Sequence, residues 1–202
     1  MVMAEATNHY FKHLGVSDGL SQVCIPSIYQ DELGAVWLGT TEGLNRYNGK
    51  DVKVFQPSES NHGLTNNEIN ELCGDKNGRM YIRSGNDLIK LDIYTEQFTC
   101  LRQKGVYGLF CKKDTLWVSC ADGIYYYTGQ GTELTFFARV QKGFVGRALY
   151  VDKETVWVVT RKYLVAISRE DPLRQEILLT LDKGNCILGD SSGNIWVGAW
   201  NG

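Results

Sequence analysis

Asp31-Glu32-Leu33-Gly34-Ala35-Val36-Trp37-Leu38-Gly39-Thr40-Thr41-Glu42-Gly43-Leu44-Asn45-Arg46-Tyr47 is the stretch that decides the fold. Its Asp can bond the backbone ahead of it, and its Gly three residues later tolerates the positive φ that closes a hairpin. The segments on either side alternate apolar and polar residues with period 2, as strands do. Laid on itself with an offset of 44, the chain matches without a gap: Gly19-Leu20-Ser21 falls on Gly63-Leu64-Thr65, and Ile28 on Leu72. Asp31 falls on Asp75, Gly34 on Gly78, Trp37 on Tyr81, Leu44 on Leu88, Tyr47 on Leu91, and Phe11 on Phe55.

Further units centre on Trp117, Trp157 and Trp196, so the aromatic position recurs at spacings of 44, 36, 40 and 39. A period near 40 built from short strands is that of propeller blades; helical repeats of this length would show apolar spacings of three and four. Composition agrees, with 22 Gly against 3 Pro and with 5 Trp and 11 Tyr in 202 residues, as expected for short strands joined by tight turns. The net charge of −2 argues against a phosphate-backbone binder, and no run approaches the roughly 18 apolar residues of a membrane span.

Each unit reads as four strands. The inner strand is Ser27 to Tyr29, Glu71 to Cys73, Gly108 to Phe110, Ala148 to Tyr150, or Ile187 and Leu188. A turn follows, then a second strand carrying Trp37, Tyr81, Trp117, Trp157 or Trp196, a large flat side chain suited to packing between blades. The third strands are Leu44 to Tyr47, Leu88 to Leu91, Ile124 to Tyr127 and Leu164 to Ile167; the fourth are Val52 to Phe55, Gln97 to Thr99, Leu134 to Phe137 and Glu176 to Leu179. The third and fourth units use turns one residue shorter, Lys112 to Thr115 and Asp152 to Thr155, without the Asp–Gly pair. The expectation is an all-β chain, a β-propeller fragment of about four and a half four-stranded antiparallel blades from a seven-bladed ring. Residues 1–27 form an N-terminal segment whose outer strand near Phe11 closes the ring; 28–185 hold four blades and 186–202 begin a fifth.

The phrase D-x-x-G-x-x-W-[LVI]-G-T-x-x-G-L-x-R-Y, preceded by Asp18-Gly19-Leu20-Ser21 and followed by Asn48-Gly49-Lys50, resembles the two-component regulator propeller repeat. The resemblance is closest in the first unit, good in the second and fifth, and degenerate in the third and fourth. It implies the periplasmic sensor region of a hybrid two-component system of Bacteroides type, with two seven-bladed propellers and a small β-sandwich before the membrane. A cytoplasmic histidine kinase, receiver and DNA-binding domain follow in such proteins, and the usual signals are oligosaccharides. The remaining blades and downstream sensor domains, and a second copy in a homodimer, are the implied protein partners. No kinase machinery lies in these residues. The start Met1-Val2-Met3-Ala4-Glu5-Ala6 is too short for a signal-peptide core, which fits a cytoplasmic chain or one whose leader has been removed; the end breaks off inside a strand-like pattern, as in a piece of a longer protein.

Strand alternation puts the loops between second and third strands on the same face as the connections between blades. Those loops offer Glu42, Asn86, Asp122, Arg161 and Trp200 as ligand-binding candidates, since sugar recognition combines a flat ring under a pyranose with fixed hydrogen-bonding partners. No cofactor, metal or catalytic residue is expected. His9 and His13 do not converge on a metal from a strand, and the turn aspartates lack the carboxylate spacing of a calcium loop. The sialidase Asp box, S-x-D-x-G-x-x-W, places Gly two residues after Asp, whereas Gly34 lies three after Asp31. An enzyme remains an alternative, because streptogramin-type propeller lyases share a similar D-x-x-G-x-x-W phrase; a structural scaffold for sensor dimerisation is another. The six cysteines contain no C-x-x-C and read as buried free thiols. A hairpin turn at Lys112 to Thr115 pairs Cys111 with Leu116 and Cys120 with Tyr107, too far apart for a disulfide between the two cysteines.

Overall fold

The computed structural model describes residues 12–57 and 63–200. A short 3-10 turn, Val16–Asp18, leads into blade one: β1 (Ser27–Gln30), β2 (Val36–Thr40), β3 (Gly43–Tyr47) and β4 (Val52–Phe55). Blade two comprises β5 (Ile69–Gly74), β6 (Arg79–Ser84), β7 (Asp87–Asp92) and β8 (Gln97–Arg102). Blade three comprises β9 (Val106–Lys112), β10 (Thr115–Cys120), β11 (Gly123–Tyr127) and β12 (Thr135–Ala138). Blade four comprises β13 (Gly146–Val151), β14 (Thr155–Thr160), β15 (Tyr163–Ser168) and β16 (Gln175–Thr180); β17 (Gly184–Gly189) and β18 (Ile195–Ala199) form a two-stranded sheet after it. Every sheet is an antiparallel meander in chain order. The architecture is a β-propeller, as the repeat predicts. The ring-closing strand expected near Phe11 lies outside the described residues.

The hairpin turns repeat atom for atom. In blade one, Asp31 Oδ1 accepts from the backbone N–H of Leu33 at 3.0 Å and of Ala35 at 2.8 Å, and Gly34 takes φ +85°. Asp75 with Gly78 and Asp190 with Gly193 repeat this, at φ +83° and +85°. The structure adds a bond that turn chemistry alone does not predict. Asp31 Oδ2 accepts the indole N–H of Trp37 at 2.7 Å, and Asp190 Oδ2 that of Trp196 at 2.9 Å. The spacing of Asp and Trp thus lets one carboxylate hold the turn and anchor the strand's aromatic.

Blade four corrects the degeneracy read in its turn. Its Gly is lost, yet Asp152 still accepts from Glu154 and Thr155 N–H through Oδ1 and from Trp157 Nε1 through Oδ2 at 2.6 Å. Deleting one residue tightens the loop without moving the carboxylate off the indole. In blade two the aromatic is Tyr81, and Asp75 pairs instead with the Arg79 guanidinium. In blade three, which lacks the Asp, Trp117 sits under Arg169, whose guanidinium carbon is 5.6 Å from the ring centroid.

These carboxylates set an acid limit that can be measured. The Trp196 indole, then Asn194, holds the Asp190 carboxyl at about 2. Burial alone would raise Asp152, but Trp157 and the two N–H groups outweigh it and hold it below its usual range. Because the folded values lie below the ordinary value of about 3.9, the bonds stabilise fully above that pH and are lost as pH falls through the folded values. The Trp196 Nε1–H resonance is expected to titrate with a midpoint near 2; a midpoint near the ordinary carboxylate value would show that Asp190 does not hold the indole.

The core lies between the blades. Trp37, Leu44, Phe55, Ile69, Met80 and Ile89 pack blade one on blade two; Tyr81, Leu88, Val106, Leu116, Val118 and Tyr127 pack two on three. Trp117, Ile124, Leu149, Val156, Val158 and Val165 pack three on four. Each buried aliphatic side chain contributes roughly 1.5–3 kcal/mol over its exposed state, so the stacked faces carry the fold. Trp37 and Tyr81 are 0% exposed and Trp117 5%, in keeping with packing between blades, whereas Trp196 on β18 is 61% exposed.

Candidate functional site

The inner strands of blades two to five share an irregularity. Register slips between Ile69 and Glu71 on β5, between Gly146 and Ala148 on β13, and between Gly184 and Cys186 on β17. On β9, Ser119 pairs with Gly108 but Cys120 with Val106, which corrects the Tyr107 partner expected for Cys120. One residue per strand is thereby left out of the ladder: Asn70, Tyr107, Arg147 and Asn185. A β-bulge of this kind re-aims a side chain. All four line one cleft of about 690 Å³ enclosed by the inner strands, with Pro26 and Ser27 of blade one and Asn86 at its margin.

The cleft wall is polar and ordered. Arg83 Nε donates to Glu71 Oε2 at 3.3 Å, and its Nη1 donates to the Gly85 carbonyl at 3.2 Å. Asn70 Nδ2 reaches the same carbonyl at 3.2 Å. Burial raises the Glu71 carboxyl, opposed by Arg83 and the Leu109 N–H. A second hollow of about 370 Å³ shares Tyr107 and Arg147 with the first and adds Phe144, Thr160, Arg161 and Lys162. Phe144 is fixed by Tyr163, with ring centroids 4.8 Å apart. Arg147, Arg161 and Lys162 bring three cationic side chains to this hollow. The joined hollows therefore offer three cations, two aromatic faces and several amide and hydroxyl groups.

The loops between second and third strands do lie at the same end as the blade connections: Gly43 N–H donates to Asn67 O at 2.8 Å, Gly85 N–H to Glu68 O at 2.7 Å and Ala121 N–H to Gly105 O at 2.7 Å. Of the candidates on them, Asn86 borders the central cleft and Arg161 the adjoining hollow. Trp200 is 77% exposed and flanks a separate hollow with Asn185 and Cys186. Asp122 is engaged within the fold, accepting from Arg102 at 2.7 Å and from the Tyr125 hydroxyl at 2.8 Å. Glu42 stands exposed at the rim, its carbonyl taking Gln56 Nε2.

The bulge residues were not among the candidates, although a signal for them exists. Each stands three positions before the inner-strand residue that faces the repeat's aromatic, so aligned units show the column Pro26, Asn70, Tyr107, Arg147 and Asn185. The cysteines also depart from expectation: Cys120 is buried, but Cys24 and Cys186 are exposed, and Cys73, Cys100 and Cys111 are half-buried. No group of side chains that could hold a metal ion occurs among the described residues. No helix among them is long and apolar enough to cross a membrane.

Comparison with known proteins places this geometry. Residues 19–42, the first unit up to Glu42, match the family model described as two component regulator propeller. A 53-residue stretch is 40% identical to histidine kinase P4 of Formosa agariphila, covering 26% of this chain and 4% of that protein. The extracellular domain of the hybrid two component system BT3049 of B. thetaiotaomicron superposes with a TM-score of 0.82 at 22% identity, over 95% of this chain and 29% of that one. The extracellular domain of the one component system BT4673 of the same organism gives 0.77 at 20% identity, over 96% and 31%. The chain spans less than a third of either solved domain and a small part of the kinase. At these identities the superpositions show the fold, a β-propeller.

Proposed function

We propose that this chain is a non-catalytic part of the extracytoplasmic, periplasmic sensor region of a hybrid two-component system, and that it binds an oligosaccharide in its central cleft. Binding would be signalled to a cytoplasmic histidine kinase and on to transcription. The observation that carries the reading is the column of bulge residues: four successive blades break their ladders at one repeat position and turn Asn70, Tyr107, Arg147 and Asn185 onto a common cleft. Tyr107 and Phe144 suit the apolar face of a pyranose, and the amides suit its hydroxyls. Arg147, Arg161 and Lys162 favour a saccharide that carries a carboxylate or sulfate. The exposed Trp196 supports the remaining blades as neighbours, since its counterparts Trp37 and Tyr81 are covered by the next blade. A homodimer of the full-length protein is part of the same reading.

Calorimetry on the complete extracytoplasmic region, with neutral and uronate-bearing oligosaccharides, tests it. Arg147→Ala is expected to weaken an acidic oligosaccharide roughly 10- to 100-fold, the loss of one charge-assisted bond, while the melting temperature stays within a degree or two. Binding that survives both Arg147→Ala and Tyr107→Ala would move the site out of this cleft. No binding by an intact dimer would favour a scaffold, and turnover of the sugar would favour an enzyme.

A further inference from the structure

A second repeat column runs along the inner strands. The residue facing the aromatic across the hairpin is Tyr29, Cys73, Phe110, Tyr150 and Leu188 in successive blades. The residue after it is Gln30, Gly74, Cys111, Val151 and Gly189. The first of these in one blade meets the second in the next. A Cβ on Gly74 would lie 2.2 Å from the Tyr29 hydroxyl, and one on Gly189 2.1 Å from Tyr150 Cζ. Phe110 packs in one cluster with Val151. Large therefore meets small at the junctions filled by tyrosine. Between blades two and three, however, both positions are cysteine, and Cys73 Sγ and Cys111 Sγ are 2.8 Å apart.

We infer that Cys73 and Cys111 form a disulfide that joins blade two to blade three when the chain folds in an oxidising compartment. The sulfurs are only about 0.8 Å further apart than a bonded pair, and their two strands are already neighbours in the ring. The inference rests on the extracytoplasmic reading above only for its oxidant, the disulfide of a thiol oxidoreductase. One Cys thiolate attacks that disulfide, and the second displaces the resulting mixed disulfide. The oxidoreductase S–S bond breaks, a Cys73–Cys111 bond forms, and the two electrons leave with two protons on the oxidoreductase's two thiols. Burial raises the Cys73 thiol well above its usual range, so packed Cys73 is a poor nucleophile. Oxidation is therefore easier before the two blades close.

Peptide mapping of the full chain decides the matter. After secretion into a bacterial periplasm and alkylation without reductant, tryptic peptides 54–76 and 105–112 are expected as one linked species, with Cys24, Cys100, Cys120 and Cys186 alkylated. Refolding in a glutathione redox buffer should produce the same link, and six alkylated cysteines after that treatment would overturn the inference. A link that forms on refolding but is missing from secreted chain supports the pairing and counts against the compartment. Cys73→Ala and Cys111→Ala should each lower the melting temperature by about 10 °C, the loss expected for releasing a loop of this length. The double variant should fall no further, and wild-type chain refolded with reductant should match it. Additive losses would overturn the bond.

Discussion

Gly108→Val is expected to unfold the protein at a markedly lower temperature and to disturb the central cleft together with it. A Cβ at this position would lie 2.5 Å from the Arg147 carbonyl oxygen, 3.1 Å from its carbon and 3.4 Å from Ala148 Cα. Those are backbone atoms of β13, so no rotamer change relieves the contact; blades three and four must part along their inner strands. Overpacking of this kind costs about 1–3 kcal/mol where side chains can shift and more where backbone must, so a loss of roughly 3 kcal/mol or above follows. In a chain of this size that is about 10 °C in melting temperature. The displaced strand also carries Arg147, which couples stability to the cleft. Gly34→Ala is the control, because its Cβ would meet nothing within 4 Å and only the positive φ opposes it; about 1 kcal/mol is expected there. Equal effects of the two changes would show that the inner strands of blades three and four are not in backbone contact.

Asp31→Ala should be at least as damaging. The side chain holds the N–H groups of Leu33 and Ala35 and the indole of Trp37, and both Asp31 and Trp37 are buried. Removing it leaves the 0%-exposed indole N–H without an acceptor and releases the turn. Bonds to charged groups contribute about 1.5–3 kcal/mol each and are not additive, so a total near 3–5 kcal/mol is expected, read as a shift in chemical denaturation midpoint at constant slope. Asp190→Ala deletes the same bonds at the open blade, where Trp196 is 61% exposed and water can replace the carboxylate. Its shift should be clearly smaller. A loss no larger for Asp31 than for Asp190 would show that the indole bond contributes little even when dry.

The fold was legible because its signals are local. Asp31 and Gly34, Asp75 and Gly78, and Asp190 and Gly193 each specify a hairpin within four residues, and period-2 alternation marks the strands beside them. The anchoring of Trp157 by Asp152 is not legible in the turn pattern, because the bond uses the carboxylate's second oxygen, which turn chemistry does not require. The site was less legible for a different reason. A bulge is a property of two paired strands, and nothing within Gly146-Arg147-Ala148 announces that Arg147 will drop out of register. Asp122 lies on one of the loops, but the neighbouring Arg102 and Tyr125 take up its carboxylate. Only the comparison of units with each other, column by column, brings Asn70, Tyr107, Arg147 and Asn185 forward.

The inner-strand seam bears on how such a chain avoids assembling wrongly. Blades built from one repeated phrase are near-copies, and near-copies in one chain are prone to swap partners as they fold. At the seam successive junctions are not interchangeable. The Tyr29 side needs the Gly74 side, the Cys73 side meets Cys111, Phe110 meets Val151, and Tyr150 needs Gly189. Were blade three to dock on blade one, Tyr29 would face the Cys111 side chain in place of a bare glycine. The four junctions thus carry three distinct pairings, so that no two successive junctions match, and part of the blade order is written as matched volumes.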